Sequence, residues 1–472
     1  MKTYLMMING EEVGHELPVI EVSNPATGEV FATVPKGSRE EAELAVDAAY
    51  KAFEQWSSLS AYERSELIRN WHDLIKEQTE DLAMTMTQEQ GKPLSEARGE
   101  INYANGFMSW YAEEGKRIYG EIIPATQQNK RLFVHKQPVG VAAVITPWNF
   151  PAAMITRKVA PALAAGCTVV IKPAGQTPLT ALKLVQLAKQ AGIPSGVVNI
   201  VTGDSKVIGD TWLQDPRVRK LTFTGSTEVG KVLMQGAAET VKKVSLELGG
   251  HAPAIIMEDC DLDKAVAGVL AAKFRNAGQT CVCINRVYVQ ESIAKSFTEK
   301  LVEEAKKMKV GNGLDEGVDI GPLIDASAVE KVQQHVEDAT ISGATVELGG
   351  NPKGGLFFEP TILANVTDDM VCMQEETFGP VLPISTFTTE VEAIRRANDS
   401  IYGLAAYVFT ENITRGIRVT EKLEYGIIGL NDGLPSTQQA PFGGFKQSGL
   451  GREGGQHGID EYIEMKYISL GL

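Results

Sequence analysis

From residue 139 to 248 the apolar positions fall into a short continuous run, a turn and a helical face, and this cycle repeats. Residues 139–145 read as a buried strand and 147–151 as its turn, while Ile155, Val159 and Leu163 form the core face of a helix that Gly166 stops. Strands follow at 168–171, 197–201, 221–223 and 244–248, with helices after Pro178 and through Val229, Val232 and Leu233. The alternation predicts a parallel sheet with helices on both faces, a Rossmann-like unit.

A second series begins at Ala254, with strands at 254–257, after Cys283, and near Val381, Tyr407 and Ile427. Helices over 261–275 and around Leu301 complete it, so a second α/β domain is expected. Ahead of both series, Ser38 with Glu41 and Ser60 with Glu63 are capping-box pairs that start two scaffold helices. Residues 117–138 carry short β-like runs parted by Gln127, Gln128 and Asn129, and read as a hairpin arm outside the main core. The tail 462–470 alternates weakly and reads as a lone strand. A lone strand needs a partner, which predicts pairing with another subunit.

Composition narrows the classes. The chain has 472 residues and is 43% hydrophobic, enough for two or three cores. A formal net charge of -15 argues against a general nucleic-acid or anionic-membrane surface. No run of 18 or more apolar residues occurs, and Met1-Lys2-Thr3-Tyr4 opens no apolar signal stretch. Cys167, Cys260, Cys281, Cys283 and Cys372 make no even, secreted-type framework, so a reducing, cytoplasmic setting is expected.

Cys281 lies in the loop Phe274-Arg275-Asn276-Ala277-Gly278-Gln279-Thr280-Cys281-Val282-Cys283-Ile284, between a helix and a strand, with Gly278 suited to a left-handed helix stop. A cysteine in such a chain is ordinarily a small buried hydrophobe. Its chemistry therefore depends on its company. Asn149 and Glu247 follow strands, and together with the cysteine loop they lie at corresponding strand ends. A thiol, a carboxylate and an amide donor are the parts of covalent acyl chemistry: nucleophile, general base and oxyanion donor.

Two glycine-rich stretches compete for a phosphate. Gly449-Leu450-Gly451-Arg452-Glu453-Gly454 matches GxGxxG literally, but no strand precedes it and too little chain follows, so it reads as a surface or cleft loop. In Phe223-Thr224-Gly225-Ser226-Thr227-Glu228-Val229-Gly230 a strand does run into a helix, whose amino end would attract a pyrophosphate. An ordinary turn capped by Ser226 fits the same residues equally well. Lys172 ends a strand, where it can reach ribose hydroxyls or stand in solvent. No metal is expected, because Cys281 and Cys283 lack a second pair and none of the six histidines falls in HExxH spacing. His251 behind Glu247 leaves a Cys-His hydrolase open, although that would leave the dinucleotide-type half without a use.

Pro147-Trp148-Asn149-Phe150-Pro151, Leu246-Glu247-Leu248-Gly249-Gly250, Gly278-Gln279-Thr280-Cys281 and Glu376-Thr377-Phe378-Gly379-Pro380 together resemble the aldehyde dehydrogenase superfamily, over nearly the whole chain. The resemblance implies an α/β fold with a Rossmann-like cofactor domain, a second α/β catalytic domain and a small β oligomerisation arm. It gives residues 1–115 and 137–246 to dinucleotide binding, 247–435 to catalysis, and 116–136 with 455–472 to the arm and tail. It also implies that Cys281 is the nucleophile, Glu247 the base for the hydrolytic water, and Asn149 the side-chain half of an oxyanion hole completed by the Cys281 amide. Lys172 would bind the adenosine ribose, Gly225 and Ser226 the pyrophosphate, Trp148 the cofactor's vicinity, and Glu376 with Phe378 the nicotinamide riboside.

Within the family, the cysteine loop and Ile155-Thr156-Arg157-Lys158 are most similar to members that oxidise succinate semialdehyde. By that resemblance Arg157, Arg275 and Ser436 hold the distal carboxylate, a role guanidinium suits. Glutarate semialdehyde or another small polar aldehyde is the alternative, and a non-catalytic protein on this fold is a third reading. NAD-selective relatives often carry glutamate where Gly175 stands, so NADP is expected to be accepted and NAD also used. Cys283, two residues from Cys281, is expected to form a reversible disulfide with it on oxidation or else to be a packing cysteine. A homodimer or homotetramer is expected.

Overall fold

A computed structural model describes residues 2–472. The helices Arg39–Ser58 and Ala61–Glu77 each begin in the expected capping box, with Ser38 and Ser60 accepting backbone N–H groups while Glu41 and Glu63 reach back. The second packs with the helices Leu94–Glu114 and Ala153–Ala165 against one side of the first sheet, while the first lies mainly on the opposite side with the helix Ser205–Gln214.

That sheet has eight strands, in the order Gly449–Leu450, Lys243–Glu247, Val218–Thr224, Val141–Ile145, Thr168–Lys172, Val198–Ile200, Met6–Ile8 and Glu11–Val13. The five central strands are parallel and the additions at both edges antiparallel. Going outward from Val141–Ile145, the chain fills one side first and then crosses to the other. The order reverses between Val141–Ile145 and Val218–Thr224, and ligands of open α/β sheets collect at such a crevice beyond the carboxyl ends. The turns that hold Trp148, Asn149, Gly225 and Ser226 emerge there.

A second sheet of seven strands runs Thr345–Leu348, Thr361–Ala364, Val381–Phe387, Ile284–Gln290, Ala252–Ile256, Ala405–Phe409 and Ile427–Leu430, parallel except at its first edge. The cysteine loop leads into Ile284–Gln290, so Cys281 lies at the amino end of its strand, whereas Asn149 and Glu247 lie at carboxyl ends. The expectation of corresponding strand ends is corrected accordingly. The second lobe presents strand beginnings to the first lobe's strand ends.

Two further expectations change, and the expected helix through Val229, Val232 and Leu233 gains an orientation. The tail Ile463–Gly471 is not alone, because it pairs antiparallel with Lys130–Pro138 along its full length, and Glu121–Ile123 completes a three-stranded sheet. Val229 and Val232 point outward, 48% and 61% exposed, while Leu233 of the same helix is buried. The helix Ala153–Ala165 is buried on every side, Arg157 and Lys158 included, rather than showing a single core face. Among the described residues, no helix is long and apolar enough to cross a membrane.

Candidate active site

The cysteine loop is built on unusual backbone. The helix Leu262–Phe274 ends at Arg275, and Asn276, Ala277 and Gly278 then take left-handed angles in succession, with φ of 52°, 55° and 74°. Two non-glycine residues there carry strain of order 1–3 kcal/mol each, which neighbours must offset. The Asn276 N–H donates to Glu96 Oε2 at 2.8 Å, and its side-chain amide donates to the Asn149 carbonyl at 3.0 Å. Gln90 Nε2 donates to Asn276 Oδ1 at 2.8 Å, and Gln279 Oε1 accepts from the Ile324 N–H at 2.9 Å. Gly278 could not be larger, since a Cβ would sit 2.2 Å from the Gly379 carbonyl oxygen.

Asn149 is anchored to the same network. Its Nδ2 donates one hydrogen to the Gln279 carbonyl at 3.0 Å, leaving the other available. Its backbone carbonyl accepts from Lys92 Nζ at 2.8 Å, and that ammonium is paired with Glu100 at 2.5 Å. Glu100 in turn accepts from the Ala152 and Ala153 N–H groups, so the turn and the start of the buried helix are tied to one ion pair.

Two clefts meet at Cys281. One, of about 480 Å³, is lined by Trp148, Asn149, Gly225, Ser226, Cys281, Glu376 and Phe378 among others. Trp148 and Phe378 stand edge to face with ring centroids 5.6 Å apart. Ser226 Oγ caps the helix Thr227–Ala238 by accepting from the Val229 N–H at 3.3 Å, and the helix amino end opens into this cleft. Glu376 accepts from the Gly250 N–H at 3.2 Å, and burial pushes its carboxyl up to about 7. Lys172 does not line this cleft. Its buried ammonium donates to the Pro173 carbonyl at 2.7 Å, and burial pushes its pKa down to about 8. A Cβ on Gly175 would meet nothing within 4 Å.

The other cleft, about 330 Å³, holds Cys281 with Arg157, Arg275, Ser436, Tyr103, Phe150 and Phe442. Arg157 is committed on one side, its Nε 2.6 Å from Glu453 Oε2, and its guanidinium carbon lies 4.0 Å from the Phe442 ring centroid. Arg275 lies 5.3 Å from the Phe150 centroid, and neither Arg275 Nε nor Ser436 Oγ has a protein partner although both are buried.

The half-buried Cys281 thiol is pushed up to about 12 by burial, against which Arg157 pulls down while Glu376 and Glu247 add to the rise. Glu247 ends the strand Lys243–Glu247 and is buried. It lines neither cleft, a Cβ on Gly443 would lie 2.9 Å from its Oε1, and neither carboxylate oxygen has a protein partner. Burial raises it well above the ordinary carboxyl range, Glu453 adds to this, and Arg157 and Lys158 oppose it. Cys283 is fully buried, its Sγ 3.2 Å from the Gly278 carbonyl and 3.9 Å from Lys273 Nζ. Pairing with Cys281 would require it to leave those contacts.

Glu453, Lys158, Lys92 and Asn276 were not singled out from sequence. Glu453 stands in the glycine-rich loop, yet it is buried against both Arg157 and Lys158, and Lys158 also donates to Thr224 Oγ1 at 2.6 Å. The one available signal was two adjacent cations inside an otherwise apolar helix. Such charges are buried only when paired.

The fold and the thiol at the junction of two clefts define an oxidoreductase of one family: the chain belongs to the aldehyde dehydrogenase family, whose pattern matches residues 13–468. It is 55% identical over 469 residues to the NADP(+)-dependent succinate-semialdehyde dehydrogenase GabD of Escherichia coli K12, covering 99% of this chain and 97% of the relative. Glutarate-semialdehyde dehydrogenase of Pseudomonas putida KT2440 is likewise 55% identical, over 98% of this chain and 97% of its own. A crystal structure of an E. coli NADP-dependent enzyme superposes with a TM-score of 0.99 at 55% identity, covering 100% of this chain and 98% of that one.

Proposed function

We propose that this chain oxidises succinate semialdehyde to succinate with NADP or NAD as hydride acceptor. The observation that carries the reading is the meeting of two clefts at Cys281, one built for a dinucleotide and the other lined by two arginines and a serine. The first cleft fits its cofactor because a helix amino end with Gly225 and Ser226, the carboxyl of Glu376 and the Trp148–Phe378 aromatic pair converge on it. When bound there, the nicotinamide would supply the hydride acceptor needed to oxidise a thiohemiacetal on Cys281 to a thioester.

The chain's own residues do the rest. Cys281 gives up its thiol proton to a base or to water and attacks the aldehyde carbon as the thiolate, and the free hydrogen of Asn149 Nδ2 with the Cys281 N–H stabilises the oxygen that gains charge. Glu247 takes a proton from the water that cleaves the thioester. Burial, which raises its pKa above the ordinary carboxyl range, strengthens it as a proton acceptor. Lys172 serves the adenosine ribose, and the open space at Gly175 admits a 2'-phosphate. Arg157 offers the carboxylate the terminal nitrogens that Glu453 leaves unused, and Arg275 and Ser436 offer theirs.

Assays of succinate semialdehyde, glutarate semialdehyde and butanal with each nucleotide test this. Succinate semialdehyde is expected to exceed butanal in kcat/KM by roughly 100- to 1000-fold, because an uncharged end strands buried donors. Equal constants would sink the reading, a clear preference for glutarate semialdehyde would move it to the longer substrate, and a hundredfold preference for NAD would refute the cofactor assignment.

The working unit is a homodimer or homotetramer in the reducing cytoplasm, with no nucleic-acid or membrane partner. Val229, Val232 and Met234 expose apolar side chains along one helix, as do Met465 and Tyr467 along the tail strand. Val232→Glu is expected to lower the sedimenting mass towards that of one chain, and an unchanged mass would exclude that helix from the interface.

A further inference from the structure

The helix Leu94–Glu114 brings Glu96, Gly99, Glu100 and Tyr103 to one face, and all four line the cleft that holds the two arginines. Tyr103 is held there by its ring, edge to face with Phe107 at a centroid distance of 5.0 Å. Its Oη is buried, with the Arg157 guanidinium beside it and no acceptor for its own hydrogen. Leaving a hydroxyl so costs about 1–3 kcal/mol. The three other unpartnered polar atoms of this cleft are Arg157 Nε, which lies against Glu453, Arg275 Nε and Ser436 Oγ. Burial raises the Tyr103 phenol above its ordinary range while Arg157 and Arg275 pull it back, so it stays a neutral donor beside two cations.

We propose that Tyr103 donates its phenolic hydrogen to the distal carboxylate of the aldehyde and so takes part, with Arg157, Arg275 and Ser436, in selecting carboxylated substrates. A carboxylate offers about four lone-pair sites. One bond each from Arg157, Arg275 and Ser436 leaves a fourth site for another donor, and a phenol meets an anion with a strong charge-assisted bond. The inference rests on the reading that the substrate carries such a carboxylate.

Tyr103→Phe removes one oxygen and keeps the ring against Phe107. The KM for succinate semialdehyde is expected to rise about 10- to 100-fold with kcat within about twofold, and the constants for butanal to stay put. Inhibition by succinate should weaken by the same factor. An unchanged KM, or an equal loss with butanal, overturns the proposal. The wild-type comparison of succinate semialdehyde with butanal tests the carboxylate reading separately, so the two failures are distinguishable. Should the phenylalanine variant fail to accumulate, Tyr103→Met decides by the same pair of substrates.

Discussion

Cys281→Ser is expected to lower aldehyde oxidation by on the order of 10^4-fold or more while the protein still folds and still binds NADPH. A hydroxyl ionises far less readily than a thiol, and this site already resists forming an anion, since burial holds the Cys281 thiol up to about 12. The residue is half-buried and its side chain holds no structural bond, so little stability goes with it. NADPH fluorescence in the variant separates loss of chemistry from loss of the cofactor cleft. The same raised pKa sets a pH dependence in the wild type without cofactor. Below its pKa a thiol gains about tenfold in thiolate for each pH unit, so alkylation by iodoacetamide should climb at that slope from pH 7 to 10. A plateau near pH 7 would mean the anion forms far more easily than this geometry allows, and substantial turnover by the serine variant would remove Cys281 from the reaction.

Arg275→Gln is expected to cost about 100- to 1000-fold in kcat/KM for succinate semialdehyde and little for butanal. Arg275 is the cleaner of the two arginines to change. Its guanidinium rests on Phe150 and its Nε has no protein partner, so its removal leaves no carboxylate stranded. Arg157 is different, because Glu453 lies 2.6 Å from its Nε. Breaking a buried pair from one side costs about 3–5 kcal/mol of stability, and an Arg157 variant would therefore confuse folding with substrate choice. Equal losses with both aldehydes for Arg275→Gln would take the carboxylate away from this side of the cleft.

The residues themselves carried much of this. Strand, turn and helix were readable because side-chain period and end caps are local: Ser38 with Glu41 and Ser60 with Glu63 start helices as their spacing requires. Sequence order also placed Trp148 and Asn149 after one strand and Gly225 and Ser226 after another. Position along the chain says which residues end a strand, but not which of them line a cleft, and Glu247 lines neither of the two that meet at Cys281.

Only the tertiary structure decided the rest. Glu453 and Lys158 are 295 residues apart, and nothing in either neighbourhood demands the other. The tail strand found its partner within the same chain, since an open edge takes whichever strand the fold brings beside it. Val229 and Val232 face outward on a helix whose Leu233 is buried, a division that hydrophobicity alone does not make. The left-handed turn at Asn276 and Ala277 runs against local preference and stands because Glu96, Gln90 and Asn149, distant in sequence, hold it. Local chemistry thus determined the elements and the reacting groups, and long-range contact determined how each group is charged, held and aimed.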